Sequence, residues 1–182
     1  MNYLSAMGRV LSFNPFPSKE DFQLKHLELY CIINVLILGL IYGVSAALFS
    51  KMSMLDREMI TGPIMAKIIL AGIPAAFFMH AGLALFIWVF LKAMGGKSDF
   101  ITAYFHIGVA AISLWPLAPF VAVLQIGCHS GLMVLFTGVC CCYALAVNAL
   151  VIKQAFLIST LRMVLATSIT SIYIFCFLYL WL

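Results

Sequence analysis

The sequence is poor in charge. Asp, Glu, Lys and Arg make up 9% of its 182 residues, whereas hydrophobic residues make up 65%. A soluble domain carries about 25% charged residues, so this chain cannot cover a folded domain with a water-facing surface. Lipid is then its main solvent, and only helices or a closed barrel can satisfy the backbone there. The apolar runs extend for about 20 residues without alternation, so they favour membrane-spanning helices.

The apolar runs also lack the groups that most enzymes need. Asp and Glu fall in the N-terminal arm, in a connector or, as Glu28, at the start of the first span, so the spans contain no carboxylate pair for acid–base catalysis. No serine has a His or Asp partner at a diagnostic spacing. The stretch Gly95-Gly96-Lys97-Ser98 lacks the first glycine and the preceding strand of a phosphate-binding loop. We therefore expect a protein that is not an enzyme and has no cofactor.

The six cysteines form no pattern typical of a metal site or a disulfide framework. A structural metal site needs about four convergent ligands. Cys128-His129 offers two, and the cysteines at 140–142 point three ways around a helix. A cysteine within an apolar run usually acts as a small hydrophobic residue. The basic residues are scattered, which argues against nucleic acid as a partner.

The N-terminal arm covers residues 1–26. Within it Leu4, Met7, Val10 and Leu11 recur at helical spacing. This pattern predicts a short amphipathic interfacial helix on the membrane surface, and the alternative is a frayed terminus. The arm also holds several charged residues, which indicates a wet segment before the first span.

Five apolar segments predict an all-α bundle that forms a single membrane domain over residues 27–182. The predicted spans are residues 27–49, 75–91, 101–124, 132–152 and 160–182. A single helix over residues 60–93 would reach about 50 Å, against roughly 30 Å of hydrocarbon. Because Pro63 and Pro74 interrupt this run, we expect a separate interfacial or re-entrant piece near residues 63–73. Pro116 and Pro119 should kink the third span.

Loop charges predict the orientation of the five spans. Seven of the ten Lys and Arg residues fall in the N-terminal arm, the break at 92–100 and the connector after the fourth span. Positive charge accumulates on the cytoplasmic side. We therefore expect the N-terminus in the cytoplasm and the C-terminus outside. The break at 92–100 is then cytoplasmic, and its Gly95, Gly96, Lys97 and Asp99 form a candidate turn where a partner could dock.

Two further sets of residues are candidates for function. Gly39, Gly43 and Ala47 repeat every four residues, and such a stripe lets another helix approach closely. Asn34, His106 and Asn148 are costly polar residues at a shared predicted depth in the cytoplasmic half of the spans, and His80 lies nearer the outer side. Inter-helix hydrogen bonds, worth about 0.6–2 kcal/mol each, are one interpretation of the three. A small polar cavity for a headgroup, an ion or a proton is the other.

The stretch from Val89 to Pro116 resembles a known family of membrane proteins. A helix ends at Met94-Gly95-Gly96, a short polar piece with Phe100 follows, and the next helix has Tyr104 and then Pro116 past its middle. Residues 151–162 are similar to a connector in which one helix ends in a polar turn and a basic residue opens the last helix. This order of glycines and prolines resembles the Yip1-domain membrane proteins over about residues 27–182.

The resemblance implies five spans, a cytoplasmic N-terminus and a role in membrane trafficking through small GTPases and partner membrane proteins. The compact arm is more similar to prokaryotic members, which implies the bacterial cytoplasmic membrane. We therefore expect a non-enzymatic membrane protein that acts through helix packing and partner binding or self-association, in contact with membrane lipids. The alternative is a small transporter or channel subunit with an intramembrane polar site.

Overall fold

The computed structural model describes residues 3–13, 24–53, 61–96, 99–127 and 130–181. Over these residues the chain is helical and contains no strand. The helices are α1 (Tyr3–Leu11), α2 (Leu24–Ser53), α3 (Gly62–Ala93), α4 (Phe100–Ala110), α5 (Leu117–Gln125), α6 (Gly131–Phe156) and α7 (Thr160–Trp181), with a 3-10 turn at Ala111–Leu114 between α4 and α5.

Three of the described helices are long and apolar enough to cross a membrane. They are α3, α6 and His26–Met52 of α2, and the bent pair of α4 and α5 makes a fourth if it counts as one span. The predicted all-helical, multi-pass membrane architecture is confirmed at this level. The fifth span, which falls on α7, stays a prediction.

The predicted break near residues 63–73 is wrong, because α3 runs without interruption from Gly62 to Ala93. Pro63 lies in the first turn of the helix, where a missing N–H costs no hydrogen bond. Pro74 lies inside the helix, and membrane helices tolerate such a proline when their neighbours restrain them. At 32 residues α3 is about 48 Å long, so it must tilt or extend beyond the hydrocarbon.

The third predicted span is bent more sharply than a kink. The 3-10 turn follows α4, Pro116 is the N-cap of α5, and the two helices differ in direction by 73°. Pro116 has no N–H, so it cannot continue the α-helical hydrogen bonds of α4. Pro119 falls in the first turn of α5, where it is tolerated. The predicted effect of the two prolines is confirmed, with Pro116 at the break.

The N-terminal helix α1 docks onto the bundle. The predicted helix is present, so the frayed terminus is excluded. Ala6, Met7 and Val10 are buried in a core cluster with residues of α2, α4 and α6. Leu4, which was predicted to share their face, is 75% exposed. The apolar face of α1 therefore contacts the other helices of the chain.

The glycine stripe lies at the contact between α2 and α3. A Cβ atom on Gly43 would lie 2.5 Å from the Ile69 carbonyl oxygen, and one on Gly72 would lie 2.5 Å from the Gly39 carbonyl oxygen. Ala47 is fully buried. Small residues on both helices thus allow their backbones to touch. The stripe that was predicted to receive another helix receives α3 of the same chain.

Candidate functional site

A cavity of about 380 Å³ opens in the bundle. Residues of α2, α3 and the bent α4–α5 pair form most of its wall, and α6 and α7 contribute Asn148 and Tyr173. Phe78 of α3 borders the cavity and is 79% exposed. The cavity therefore opens on the outer surface of α3, which faces lipid in a membrane. We call it the lateral cavity.

The wall of the lateral cavity is almost entirely apolar. Side chains such as Leu38, Leu83, Ile107 and Leu117 line it, and none of the lining residues in the described part of the chain is Lys, Arg, Asp or Glu. Ligand sites in proteins typically combine such a wall with a few convergent polar groups. A volume of about 380 Å³ lies at the small end of the range of roughly 300–1,000 Å³ for such sites.

His80 of α3 is one of the buried polar residues in the cavity wall, and it is 6% exposed. Its Nε2 lies 3.1 Å from the backbone oxygen of Tyr104 and 3.6 Å from Cys31 Sγ. A carbonyl oxygen can only accept, so this contact assigns the ring proton to Nε2 and leaves Nδ1 as an acceptor. Nδ1 has no hydrogen-bond partner among the described residues. No side-chain nitrogen or oxygen atom there is both fully buried and unpartnered, so Nδ1 is an accessible atom. Because His80 lines the lateral cavity, its Nδ1 is available there.

Asn148 of α6 is the second such group, and it is 4% exposed. Its Nδ2 donates to the Ala144 oxygen one turn earlier at 2.8 Å. Its Oδ1 has no partner among the described residues and, like the His80 nitrogen, is not sealed. The neighbouring Val147 packs in the cluster that contains Val109. His80 Nε2 would lie 3.1 Å from a Cβ on Gly108, the residue before Val109. His80 and Asn148 therefore belong to helices that pack beside α4, and both line the lateral cavity.

Tyr42 and Gln125 mark a separate polar position on the cavity wall. The Tyr42 hydroxyl donates to Gln125 Oε1 at 2.7 Å and ties the end of α5 to α2. The Tyr42 hydroxyl and the Gln125 side-chain oxygen are thus partners of each other. Their hydrogen bond fixes the bent α5 as part of the cavity wall.

Asn34 has a structural environment. Its side chain is fully buried, its Oδ1 accepts from the Tyr3 hydroxyl at 2.6 Å, and its Nδ2 donates to the Val109 oxygen at 2.9 Å. The Trp115 indole N–H also donates to the Asn34 backbone oxygen at 3.1 Å. These bonds join α1, α2 and the end of α4 where the α-helix changes to the 3-10 turn. Asn34 does not line the lateral cavity.

His106 lies on another side of α4. Its Nδ1 donates to the Thr102 oxygen of its own helix at 2.7 Å, and it is absent from the cavity wall. Of the predicted trio Asn34, His106 and Asn148, the cavity contains Asn148 alone. The same cavity contains His80, which a depth count along the spans had separated from the other three. Depth along a helix carries no information on the direction in which a side chain points.

The candidate cytoplasmic turn closes α3 and opens α4. Gly95 has φ +82°, and the Gly95 and Gly96 N–H groups donate to the Lys92 and Leu91 oxygens, which is a Schellman motif. The exposed Asp99 side chain accepts from Thr102 N at 3.4 Å as the N-cap of α4. This hydrogen bond lowers the pKa of Asp99 below its ordinary value.

The described part of the turn gives its glycines and Asp99 roles in ending one helix and starting the next. Lys97 lies outside the described residues. Docking of a partner at this turn stays a prediction.

Comparison with known proteins finds no family model, no curated protein and no solved structure that matches the chain. The resemblance to the Yip1-domain proteins stays a prediction. The lateral cavity is therefore the candidate functional site of the molecule.

Proposed function

We propose that this is a non-enzymatic, multi-pass membrane protein that binds an apolar chain molecule of the bilayer in its lateral cavity. The observation that carries the proposal is a cavity of about 380 Å³ with apolar walls and an opening on the outer surface of α3. A molecule dissolved in the hydrocarbon reaches such an opening without crossing water.

The architecture favours entry from the side. The bend of 73° turns α5 away from the direction of α4, and α5 packs on α2 and α6. The space left beside α3 is where the cavity opens. The packed glycine contact between α2 and α3 holds together two of the helices that line the cavity.

The proposal includes five spans, with α7 as the fifth, a cytoplasmic N-terminus and an outer C-terminus. A helix of 22 residues is about 33 Å long, which suffices to span the hydrocarbon. Loop charge and the Yip1-domain resemblance favour the same layout in the bacterial cytoplasmic membrane. Protein partners or self-association would use surfaces other than the glycine stripe, since α3 occupies it.

Native mass spectrometry of the purified protein tests the proposal. Wild-type protein should retain a bound small molecule after detergent exchange. Ala118→Trp, which fills the cavity from α5, should lose that molecule. Ala71→Trp is the matched control, because Ala71 is exposed on α3 and does not line the cavity. Equal retention by all three proteins would overturn the proposal.

A small transporter or channel subunit is the second candidate. The observation in its favour is the break in the α4–α5 pair beside the cavity, because broken helices often carry the sites of transporters. Stopped-flow swelling of proteoliposomes with glycerol and urea tests it. Flux that Ala118→Trp abolishes would support this candidate, and swelling equal to that of protein-free liposomes would exclude it for these solutes.

A further inference from the structure

The two unpartnered acceptors of the lateral cavity select the kind of molecule that fits. His80 and Asn148 are each more than nine-tenths buried, and each presents an acceptor atom that has no partner among the described residues. A buried acceptor without a partner costs about 1–3 kcal/mol. An occupant that is hydrocarbon throughout would leave that cost in place, whereas an occupant with a hydrogen-bond donor would remove it.

The lining residues also exclude a charged head. None of the described residues that line the cavity carries a formal charge, so a phosphate or a carboxylate would lose its hydration without gaining a counter-ion from them. The volume of about 380 Å³ favours one chain over the two chains of a phospholipid.

We infer that the occupant is a single apolar chain that ends in a neutral O–H group. The O–H donates its one proton to His80 Nδ1, and its oxygen accepts the second side-chain N–H of Asn148, whose first N–H is bound to the Ala144 oxygen. The chain lies along the apolar wall towards the opening beside Phe78. This inference rests on the proposed function. A long-chain alcohol and a protonated fatty acid share this chemistry.

Photolabelling in nanodiscs tests the inference with four probes that carry the same diazirine chain. They are hexadecanol, palmitic acid, the methyl ether of hexadecanol and hexadecane. The first two donate an O–H, and the ether accepts without donating. At equal membrane concentration we expect at least one O–H probe to label wild-type protein about tenfold more than the ether and the hydrocarbon. The stronger of the two O–H probes identifies the source of the head group.

Variants separate recognition of the head from binding of the chain. His80→Phe should bring labelling by the O–H probe down to the level of the ether. Asn148→Leu should lower labelling by the O–H probe and by the ether relative to hexadecane, because both head oxygens lose the same donor. His106→Phe is the matched control, because His106 lies off the cavity wall, and it should keep the wild-type preference. The Ala144 oxygen accepts the side-chain N–H of Asn148 in addition to its helical bond, so Asn148→Leu leaves no buried group unpaired. This variant keeps the test valid if His80→Phe fails to fold.

The outcomes distinguish this inference from the proposed function. If all four probes label the cavity residues of wild-type protein equally, and that labelling is lost in Ala118→Trp, the inference on the head group is overturned and the proposed function stands. If Ala118→Trp is labelled as strongly as wild type by every probe, the proposed function is overturned as well.

Discussion

The Tyr3 hydroxyl donates a hydrogen bond of 2.6 Å to Asn34 Oδ1, across 31 residues of sequence. The same Asn34 side chain donates to the Val109 oxygen at the end of α4. One buried amide therefore joins the N-terminal helix to the start of the break in the third span. Because the break leads into α5, which walls the lateral cavity, Asn34 supports the cavity without touching it.

Replacing Asn34 should destabilise the fold. In Asn34→Leu the Tyr3 hydroxyl loses its acceptor and the contact to Val109 is lost, and we expect a loss of about 1–3 kcal/mol. Tyr3→Phe removes one of these bonds and should cost about 1 kcal/mol. Thermal unfolding in detergent measures both effects. Asn148→Leu is the control, since its one side-chain hydrogen bond among the described residues stays within α6. An equal loss in Asn34→Leu and Asn148→Leu would contradict the role given to Asn34.

The glycine contact between α2 and α3 should tolerate no side chain. Gly43→Ile places atoms against the backbone of Ile69, so we expect a loss of about 3 kcal/mol or more. The damage should appear in the unfolding of the monomer, because both helices belong to one chain.

Gly138→Ile is the control for that substitution. A Cβ on Gly138 would meet nothing within 4 Å, so the protein should unfold near the wild-type temperature. A Gly43→Ile protein that kept its melting temperature but changed its oligomeric state on crosslinking would assign the stripe to an interface between chains instead.

The sequence predicted the helices well because each depends on local information. Long apolar runs place both ends of α2 and α6, and the C-terminal end of α3, within a few residues of their observed positions. The start of α3 was predicted near residue 75 and lies at Gly62. Pro116 has the effect that its missing N–H predicts. Pro63 and Pro74 were misjudged because a proline breaks a helix or begins one according to its position in the turn and to its neighbours.

The lateral cavity could not be predicted in the same way. Its lining residues come from six helices and the 3-10 turn, between positions 38 and 173, and the apolar pattern of each helix carries no information on its rotation against the others. His80 was recognised as a costly polar residue. Its position with Asn148 in the wall of one cavity depends on how α3, α4 and α6 pack. Tyr42 and Gln125 carried no signal that separates them from ordinary span residues.

The N-cap of α4 should make a small part of the stability depend on pH. The pKa of Asp99 is lowered in the folded protein, chiefly by the hydrogen bond from Thr102. Its contribution is therefore present above the ordinary pKa of 3.8 and is lost as the pH falls through the lower folded value. Asp99→Asn keeps an oxygen for the cap and removes the charge. We expect it to cost at most about 0.3–1 kcal/mol at pH 7, since Asp99 is exposed.

Melting temperatures of wild type and Asp99→Asn, followed from pH 7 down to pH 3, measure this effect. The difference between the two proteins should shrink below pH 4. A difference that grew as the pH fell would reverse the sign of the Asp99 contribution and contradict the assigned cap.

The most direct test of the lateral cavity is the position at which a membrane-dissolved hydrocarbon contacts the protein. The measurement is peptide mapping of wild type and Ala118→Trp after photolabelling with a diazirine-bearing hexadecane. We expect a cluster of labels in Ala75–Leu83 and Leu117–Gln125 that disappears in Ala118→Trp, whereas labels on the exposed face of α6, such as those at Leu135 and Val139, persist in both proteins. Labels spread evenly over the exposed faces, with the same pattern in both proteins, would contradict the account.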